Sequence, residues 1–291
     1  MNEVKDDLKR EKVRIVEISK IQDFPDHPFL VKEDESMDQL VDSIRMNGVL
    51  NPVIARRVAD EHYELISGHR RKRACILLGI DRMPLIGRDM TREEAVIEMV
   101  DSNLQREHIL PSEKARAYKM KMDAMKRQGK RTDLTSSPLG TKLRTDEIIA
   151  QESGESRNQI QRYIRLNELT PELLEFVDEG KIGMRPAVEL SYLQEDEMRD
   201  LVDFIDDEGI FPSHAQAIKM KTMSKEGELD INAIRDIMLE EKPNQKPRFK
   251  IAVEKIEKYF PSGTTQQQME DIIIRALAMY RQRQKEDRDA R

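Results

Sequence analysis

"ELISGHRRKRACILLGI", Glu64–Ile80, is an apolar, strand-like run that breaks at one glycine and resumes as a strongly basic helix start. Gly68 lets the backbone turn sharply, and a helix that opens just after it leaves its first amide N–H groups unpaired and aimed at one spot. Those amides, with the guanidinium forks of Arg70, Arg71 and Arg73, suit phosphate oxygens and ultimately a triphosphate. From these residues alone the anion site competes with a plain surface on which basic side chains pair with carboxylates.

Outward from that junction, the first hundred residues alternate strand and helix signals. "VRIVEIS" reads as a strand, and Ser36 with Gln39 spells a capping box for an amphipathic helix that Gly48 closes. "NPVIARRVADEHYELIS" predicts two strands around a polar turn, "RRKRACILLG" a helix ended by Gly79, and "RMPLIG" another strand. Thr91 with Glu94 opens a further helix to about Asp101. These signals predict a small α/β domain over residues 1–102. Next come a Lys- and Met-rich helix from about Ser112 to Gln128, an exposed connection, "GKRTDLTSSPLGTKLRT", and three or four more helices across 145–241. The prolines of "KPNQKPRF" then set off residues 242–291, where Met269, Ile272, Ile273, Ala276, Leu277 and Tyr280 recur at helical spacing. The expected fold class is α+β and mostly helical: the α/β domain, an all-helical domain over 103–241 and a small C-terminal helical segment.

Composition narrows the function classes. With 4% aromatics and no Trp, the cores must be built from Leu, Ile, Val and Met, and 36% charged residues imply long solvated helices. The single cysteine, Cys75, excludes an intramolecular disulfide and a multi-thiolate metal site, and "ACILLG" makes it a packing residue. No run reaches the roughly 20 apolar residues of a membrane span, and the start lacks a signal peptide's apolar core, so a cytoplasmic protein is expected. The net charge of −6 divides unevenly: −4 over residues 1–102, +6 over 103–166, −13 over 167–241 and +5 over 242–291. Two basic segments around an acidic one leave room for local contact with nucleic acid.

"RTDEIIAQESGESRNQIQRYIRLNEL", residues 144–169, reads as a helix-turn-helix. The first helix runs from about Asp146 to Glu152 with Ile148 and Ile149 inward, Gly154 makes the turn, and Ser156 caps a second helix. One face of that helix carries Ile160, Tyr163, Ile164 and Asn167, while Asn158, Gln161, Arg162 and Arg165 recur on the other. Arg, Asn and Gln make bidentate contacts to base edges in the major groove, and Arg157 at the helix start reaches phosphate or base. An ordinary solvated surface helix would show the same amphipathicity, so the turn and the upstream motifs carry the discrimination.

"NGVLNPV" at 47–53, "SGHRRKRA" at 67–74 and "SNLQRE" at 102–107 stand in the order and at about the spacing of the three N-terminal boxes of the ParB family of DNA-partition proteins. With the "GESR" turn at 154–157, the chain resembles that family over about residues 13–193. The resemblance implies an N-terminal domain that binds CTP with Mg. It places Gly48 and Val49 near the base, Gly68, His69, Arg70 and Arg71 on phosphate, and Asn103 with Arg106 at the metal-bound end, Asn103 as the metal-side ligand. It further implies double-stranded DNA with a palindromic centromere-like site, read by Ser156, Arg157, Asn158, Gln161, Arg162 and Arg165. A homodimer joined through residues 242–291 would serve the two half-sites, and a ParA-type ATPase would be contacted by Lys9, Arg10 and Lys12. DNA and CTP together would close a sliding clamp on the nucleoid.

Ser102 departs from the family pattern, which commonly has a carboxylate before the asparagine. A hard divalent cation prefers charged oxygens, so this departure predicts weak CTP hydrolysis at most, and Asp101 would project elsewhere. Other roles share these features: a transcriptional or nucleoid-occlusion regulator, a scaffold with a degenerate pocket, and a ParB-like nuclease or nucleotide-dependent kinase. The missing carboxylate and the scattered His27, His62, His108 and His214 count against the enzymes. Sulfiredoxin shares the fold family but needs Gly-Cys-His-Arg where this chain has Ser67-Gly68-His69-Arg70.

Overall fold

The computed structural model describes residues 12–106, 108–132, 144–240 and parts of 256–281. Its first strands are β1 (Val13–Glu17) and β2 (Ile21–Asp23), joined by one 3-10 turn. Helix α1 (Glu35–Asn47) follows, then β3 (Val53–Ala59), β4 (His62–Ser67), α2 (His69–Leu77), β5 (Arg82–Arg88) and α3 (Arg92–Leu104). The strands form one mixed sheet in the order β1-β5-β3-β4-β2, with β3/β4 and β1/β5 antiparallel and β3/β5 and β2/β4 parallel. Met37 and Ile44 of α1 and Ala74 and Cys75 of α2 cover one face, burying Val53, Leu65 and Leu85. Ala95, Met99 and Val100 of α3 and Ala117 and Ala124 further on cluster with Ile66 on the other. Two helical layers on a small sheet bury both of its faces and fix the strand–glycine–helix junction between them.

The helical region comprises α4 (Pro111–Thr132), α5 (Thr145–Ser153), α6 (Arg157–Arg165), α7 (Pro171–Asp178), α8 (Met184–Leu190), α9 (Glu195–Glu208), α10 (His214–Glu226) and α11 (Ile231–Leu239). Seven helices thus fill 145–241 where three or four are expected from periodicity. Pro171 at the first turn of α7, Gly154, Gly209 and Gly227 at positive φ, and the Asp230 cap cut the apolar pattern into short pieces that a sequence window merges. A second correction concerns α1, whose N-cap is Asp34 and not Ser36. The Asp34 carboxylate accepts from the Met37 amide at 3.1 Å and from the Ser36 hydroxyl at 2.5 Å. Ser36 already lies inside the first turn, so the cap belongs to the residue that remains extended. Helix α3, opened by the Thr91–Glu94 capping box, continues through Leu104.

The chain is therefore α+β and mostly helical. It packs as two units, one ending at Glu240 and the other starting at Glu241. In the second unit the described residues Ile272, Ile274, Leu277 and Met279 are exposed. The connection at 133–143, the basic residues Lys9 and Arg10, and the proline break at 243–247 lie outside the described residues. No helix among the described residues is long and apolar enough to cross a membrane.

Candidate functional site

Gly68 is the N-cap of α2 and sits at φ +109°, a conformation that side chains rarely adopt. A Cβ there would come within 2.5 Å of Val53 Cγ1. The first backbone bond of the helix runs from Lys72 N to Gly68 O at 3.0 Å, so the amides of His69, Arg70 and Arg71 have no intrahelical acceptor. Around that end lies a cavity of about 410 Å³ lined by Ser36, Leu40, Ser67, Gly68, His69, Arg70, Arg71, Ser102, Asn103 and Arg106. A larger cavity of about 940 Å³ shares Ser36, Arg70 and Arg106 with it and adds Lys32, Asp34, His108 and Glu113.

Each basic side chain is held differently. Arg70 donates to Ser36 Oγ at 2.5 Å and stands 3.6 Å from Asp34, while its Nε is buried with no partner. Arg71 donates to the carbonyls of Asn51 at 2.6 Å and Pro52 at 2.8 Å, tying the helix start to the entry of β3. Arg106 lies 5.5 Å from the centre of the Phe29 ring. Burial lowers the pKa of both Arg71 and Arg106, whose guanidinium groups are partly withdrawn from water. Arg73 turns instead to Glu33, and the buried Lys72 donates to Asp23 at 2.8 Å, so neither lines the smaller cavity. Gly48 ends α1 at φ +68° and Val49 packs against the sheet core, and neither is among the lining residues of these cavities.

His69 is a wall more than a charge. Its ring is buried against that of His27, with centroids 3.8 Å apart, and His27 Nδ1 sits 2.7 Å from Phe29 O. Burial, and then the neighbouring His27, push the His69 pKa down to about 3, so the imidazole is neutral. Sequence reasoning treats His27 as isolated, because nothing in "PDHPF" signals a contact made 42 positions away.

Among the described residues, the smaller cavity offers magnesium no charged ligand. No carboxylate lines the smaller cavity, and the Asn103 amide nitrogen donates to Met99 O at 2.8 Å, leaving Oδ1 as one neutral acceptor. The Glu113 carboxylate accepts from Leu30 N at 2.8 Å and Leu110 N at 3.2 Å. Asp101 pairs with Lys121, a lysine 1% exposed that also donates to Glu152 at 2.6 Å. Among the described residues, no group of three or more His, Cys, Asp or Glu is placed to hold an ion. Anion-binding chemistry, by contrast, is provided for by the open amides, the guanidinium groups and the buried, unpartnered Arg70 Nε.

The helix-turn-helix forms as its residues dictate. Gly154 takes φ +70°, and the Ser156 hydroxyl accepts from the Gln159 amide at 3.2 Å to start α6. Ile160 is buried with Tyr118 and Ile149, and Asn167 donates to the carbonyls of Ala115 and Ile164, both at 2.8 Å. Arg157, Asn158, Gln161 and Arg162 are exposed on the opposite face. Asn158 and Arg162 make no hydrogen bond or ion pair among the described residues, whereas Arg157 and Gln161 both donate to Asp146, at 3.0 and 2.9 Å. Arg165 is directed toward α8, donating to Ser191 O at 2.6 Å with its guanidinium 4.1 Å from the Tyr192 ring.

A helix-turn-helix packed in one unit with an α/β domain that carries an anion-suited cleft defines the class of protein. Family models for the ParB N-terminal domain and the ParB HTH domain match residues 2–104 and 141–224. The chain is 31% identical over 203 residues to chromosome-partitioning protein Spo0J of Thermus thermophilus, covering 69% of this chain and 68% of that one. It is also 31% identical over 197 residues to a nucleoid occlusion protein of Listeria innocua, covering 67% of this chain and 63% of that one. The chain belongs to the ParB family. Among solved structures, it is similar to the C-terminally truncated chromosome-partitioning protein ParB of Caulobacter crescentus. That protein has been solved on the centromeric parS site (23% identity, TM-score 0.42, 73% of this chain and 99% of that one) and with CTP-gamma-S (26%, 0.31, 67% and 99%).

Proposed function

We propose that the protein recognises a palindromic centromere-like DNA site and loads there as a CTP-dependent clamp for DNA segregation. The observation that carries the nucleotide half is the cleft, where the open amides of α2 and the guanidinium groups of Arg70, Arg71 and Arg106 converge and Arg70 Nε is buried without a partner. A triphosphate would satisfy these donors, with Gly68 allowing close backbone approach, His69 shaping the wall, and Gly48 and Val49 toward the base. Asn103 Oδ1 would be the one neutral acceptor that this wall of the cleft offers a nucleotide-bound magnesium, which predicts weak hydrolysis at most. Nucleotide closes the clamp only by binding the closed state more tightly than the open one.

The DNA half rests on the exposed polar face of α6. Asn158, Gln161 and Arg162 read base edges, and Arg157 and Ser156 meet backbone or base at the helix start, while Arg165, bonded to Ser191, braces the helix against its neighbour. A palindrome requires two recognition helices, supplied by a homodimer joined through the C-terminal segment, whose exposed apolar residues need a cover. A ParA-type ATPase partner and a cytoplasmic, nucleoid-associated location complete the reading. A nucleoid-occlusion regulator is the second reading, because the Listeria and Thermus relatives are equally identical to this chain.

The test is selection of bound sites from randomised duplex DNA, followed by clamp loading on the selected site. Arg71→Ala should abolish CTP-stimulated loading and spare site recognition, while Gln161→Ala with Arg162→Ala should lose about 1–3 kcal/mol per base contact. Loading by Arg71→Ala at the wild-type level removes the phosphate role. Segregation defects in a deletion strain favour partition, and division across the nucleoid favours occlusion.

A further inference from the structure

Asp146 is the one acid of the helix-turn-helix whose side chain is withdrawn from solvent, at 4% exposure, and it faces the recognition helix. Its Oδ2 accepts from Gln161 Nε2 at 2.9 Å and Arg157 Nε at 3.0 Å, and its Oδ1 accepts from Arg144 Nε at 3.3 Å. Burial alone would raise its pKa, but the hydrogen bonds from Gln161 and Arg157 and the charges of Arg144 and Arg157 hold it below the usual carboxylate range. An ionised carboxylate only accepts hydrogen bonds. The Gln161 amide must therefore turn its nitrogen toward Asp146, and its carbonyl oxygen becomes the outward acceptor.

We infer that Asp146 is a specificity-positioning residue: by fixing the Gln161 amide with Oε1 outward, it makes α6 read one base pair of each half-site by accepting from its major-groove amino group. Adenine N6 and cytosine N4 donate there, whereas guanine O6 and N7 and thymine O4 accept and would oppose the carbonyl. A glutamine free to flip reads either kind of edge. The carboxylate removes that freedom and leaves Gln161 one reading at its position in each half-site. Arg157 is anchored by Nε to the same oxygen, and its Nη1 stands 3.8 Å from Glu147. This inference rests on the helix-turn-helix reading above and deepens it.

The experiment is site selection from randomised duplexes by the full-length wild type, Gln161→Ala and Asp146→Asn, with circular dichroism to confirm folding. Gln161→Ala, on an exposed face, should flatten one position per half-site. Every Watson–Crick pair carries one amino group in the major groove, so base analogues separate the groups read there: removing the amino group of that pair should weaken wild-type binding about tenfold, and removing a purine N7 should leave it within about threefold. Asp146→Asn should broaden the same position to within about threefold among all four bases, because asparagine also donates and frees the amide to flip. Wild-type binding that depends on the purine N7 and not on the amino group overturns the proposal, even if Asp146→Asn does not fold. So does a folded Asp146→Asn that keeps the dependence on the amino group, or a Gln161→Ala variant that changes no position. In those cases wild-type enrichment of a palindrome would leave the DNA-binding function standing. No enriched site with the wild type overturns both.

Discussion

Replacing Gly68 by alanine tests the junction on which both fold and cleft depend. A non-glycine residue at φ +109° carries about 1–3 kcal/mol of backbone strain. The new Cβ would lie 2.5 Å from Cγ1 of Val53, which is 0% exposed in the sheet core, so relief requires movement of packed atoms costing about another 1–3 kcal/mol. The sum, about 2–6 kcal/mol, is a large share of the roughly 5–15 kcal/mol stability of an ordinary domain. Urea unfolding followed by far-ultraviolet circular dichroism measures it, with Gly209→Ala as the control. Gly209 is also left-handed, at φ +66° and ψ +19°, but nothing lies within 4 Å of its added Cβ, so it should lose only about 1–2 kcal/mol. If Gly68→Ala loses no more stability than Gly209→Ala, the packed-junction reasoning is wrong.

Lys121 offers a contrast in the same assay. Asp101→Ala with Glu152→Ala strands a lysine 1% exposed and should cost about 3–5 kcal/mol, whereas Lys121→Met leaves two carboxylates that are 45% and 50% exposed and should cost about 1 kcal/mol or less. Equal losses would mean that the buried ammonium is not the expensive group. His69 predicts an acid sensitivity. Its folded pKa, about 3, lies below the ordinary 6.5, so the unfolded chain takes up a proton that the fold refuses. Stability is complete above pH 6.5 and falls as pH drops toward 3, by on the order of 4 kcal/mol from this group. His69→Gln should flatten that slope in melting experiments between pH 6.5 and 4, and an unchanged slope would assign the loss to other groups. Asn167→Ala removes one donor from each of the Ala115 and Ile164 carbonyls and, because the Leu166 amide still reaches Ile164 O, should lower stability by about 0.5–1.5 kcal/mol, checked by the urea midpoint.

Rules confined to a few adjacent residues made much of the molecule legible before its structure. A glycine between strand and basic helix marks the cleft, Gly154 and Ser156 mark the turn of the helix-turn-helix, and Thr91 with Glu94 marks the start of α3. Of the residues that position-by-position resemblance nominated, Gly68, His69, Arg70, Arg71, Asn103 and Arg106 line one cavity, and Gly48 and Val49 do not. What stayed hidden depends on partners distant in sequence. His27 meets His69, Lys121 joins Asp101 to Glu152, and Asp146 holds Gln161 only because folding brings their elements together. The α1 cap was misread because Asp34 and Ser36 are both good capping residues two positions apart, and only the extended backbone of Asp34 decides between them. Periodicity likewise undercounted helices, since a short helix and its neighbour can continue one apolar rhythm across a glycine.

The central claim is that the cleft takes a nucleotide through its arginines. Isothermal titration of CTP, ATP, GTP and UTP, each with and without magnesium, against wild type and Arg71→Ala tests it most directly. Saturable binding of CTP alone, lost in Arg71→Ala and little changed by removing magnesium, is the predicted result. No binding of any nucleotide, or binding that Arg71→Ala retains in full, would contradict the account and leave a DNA-binding protein whose cleft serves another purpose.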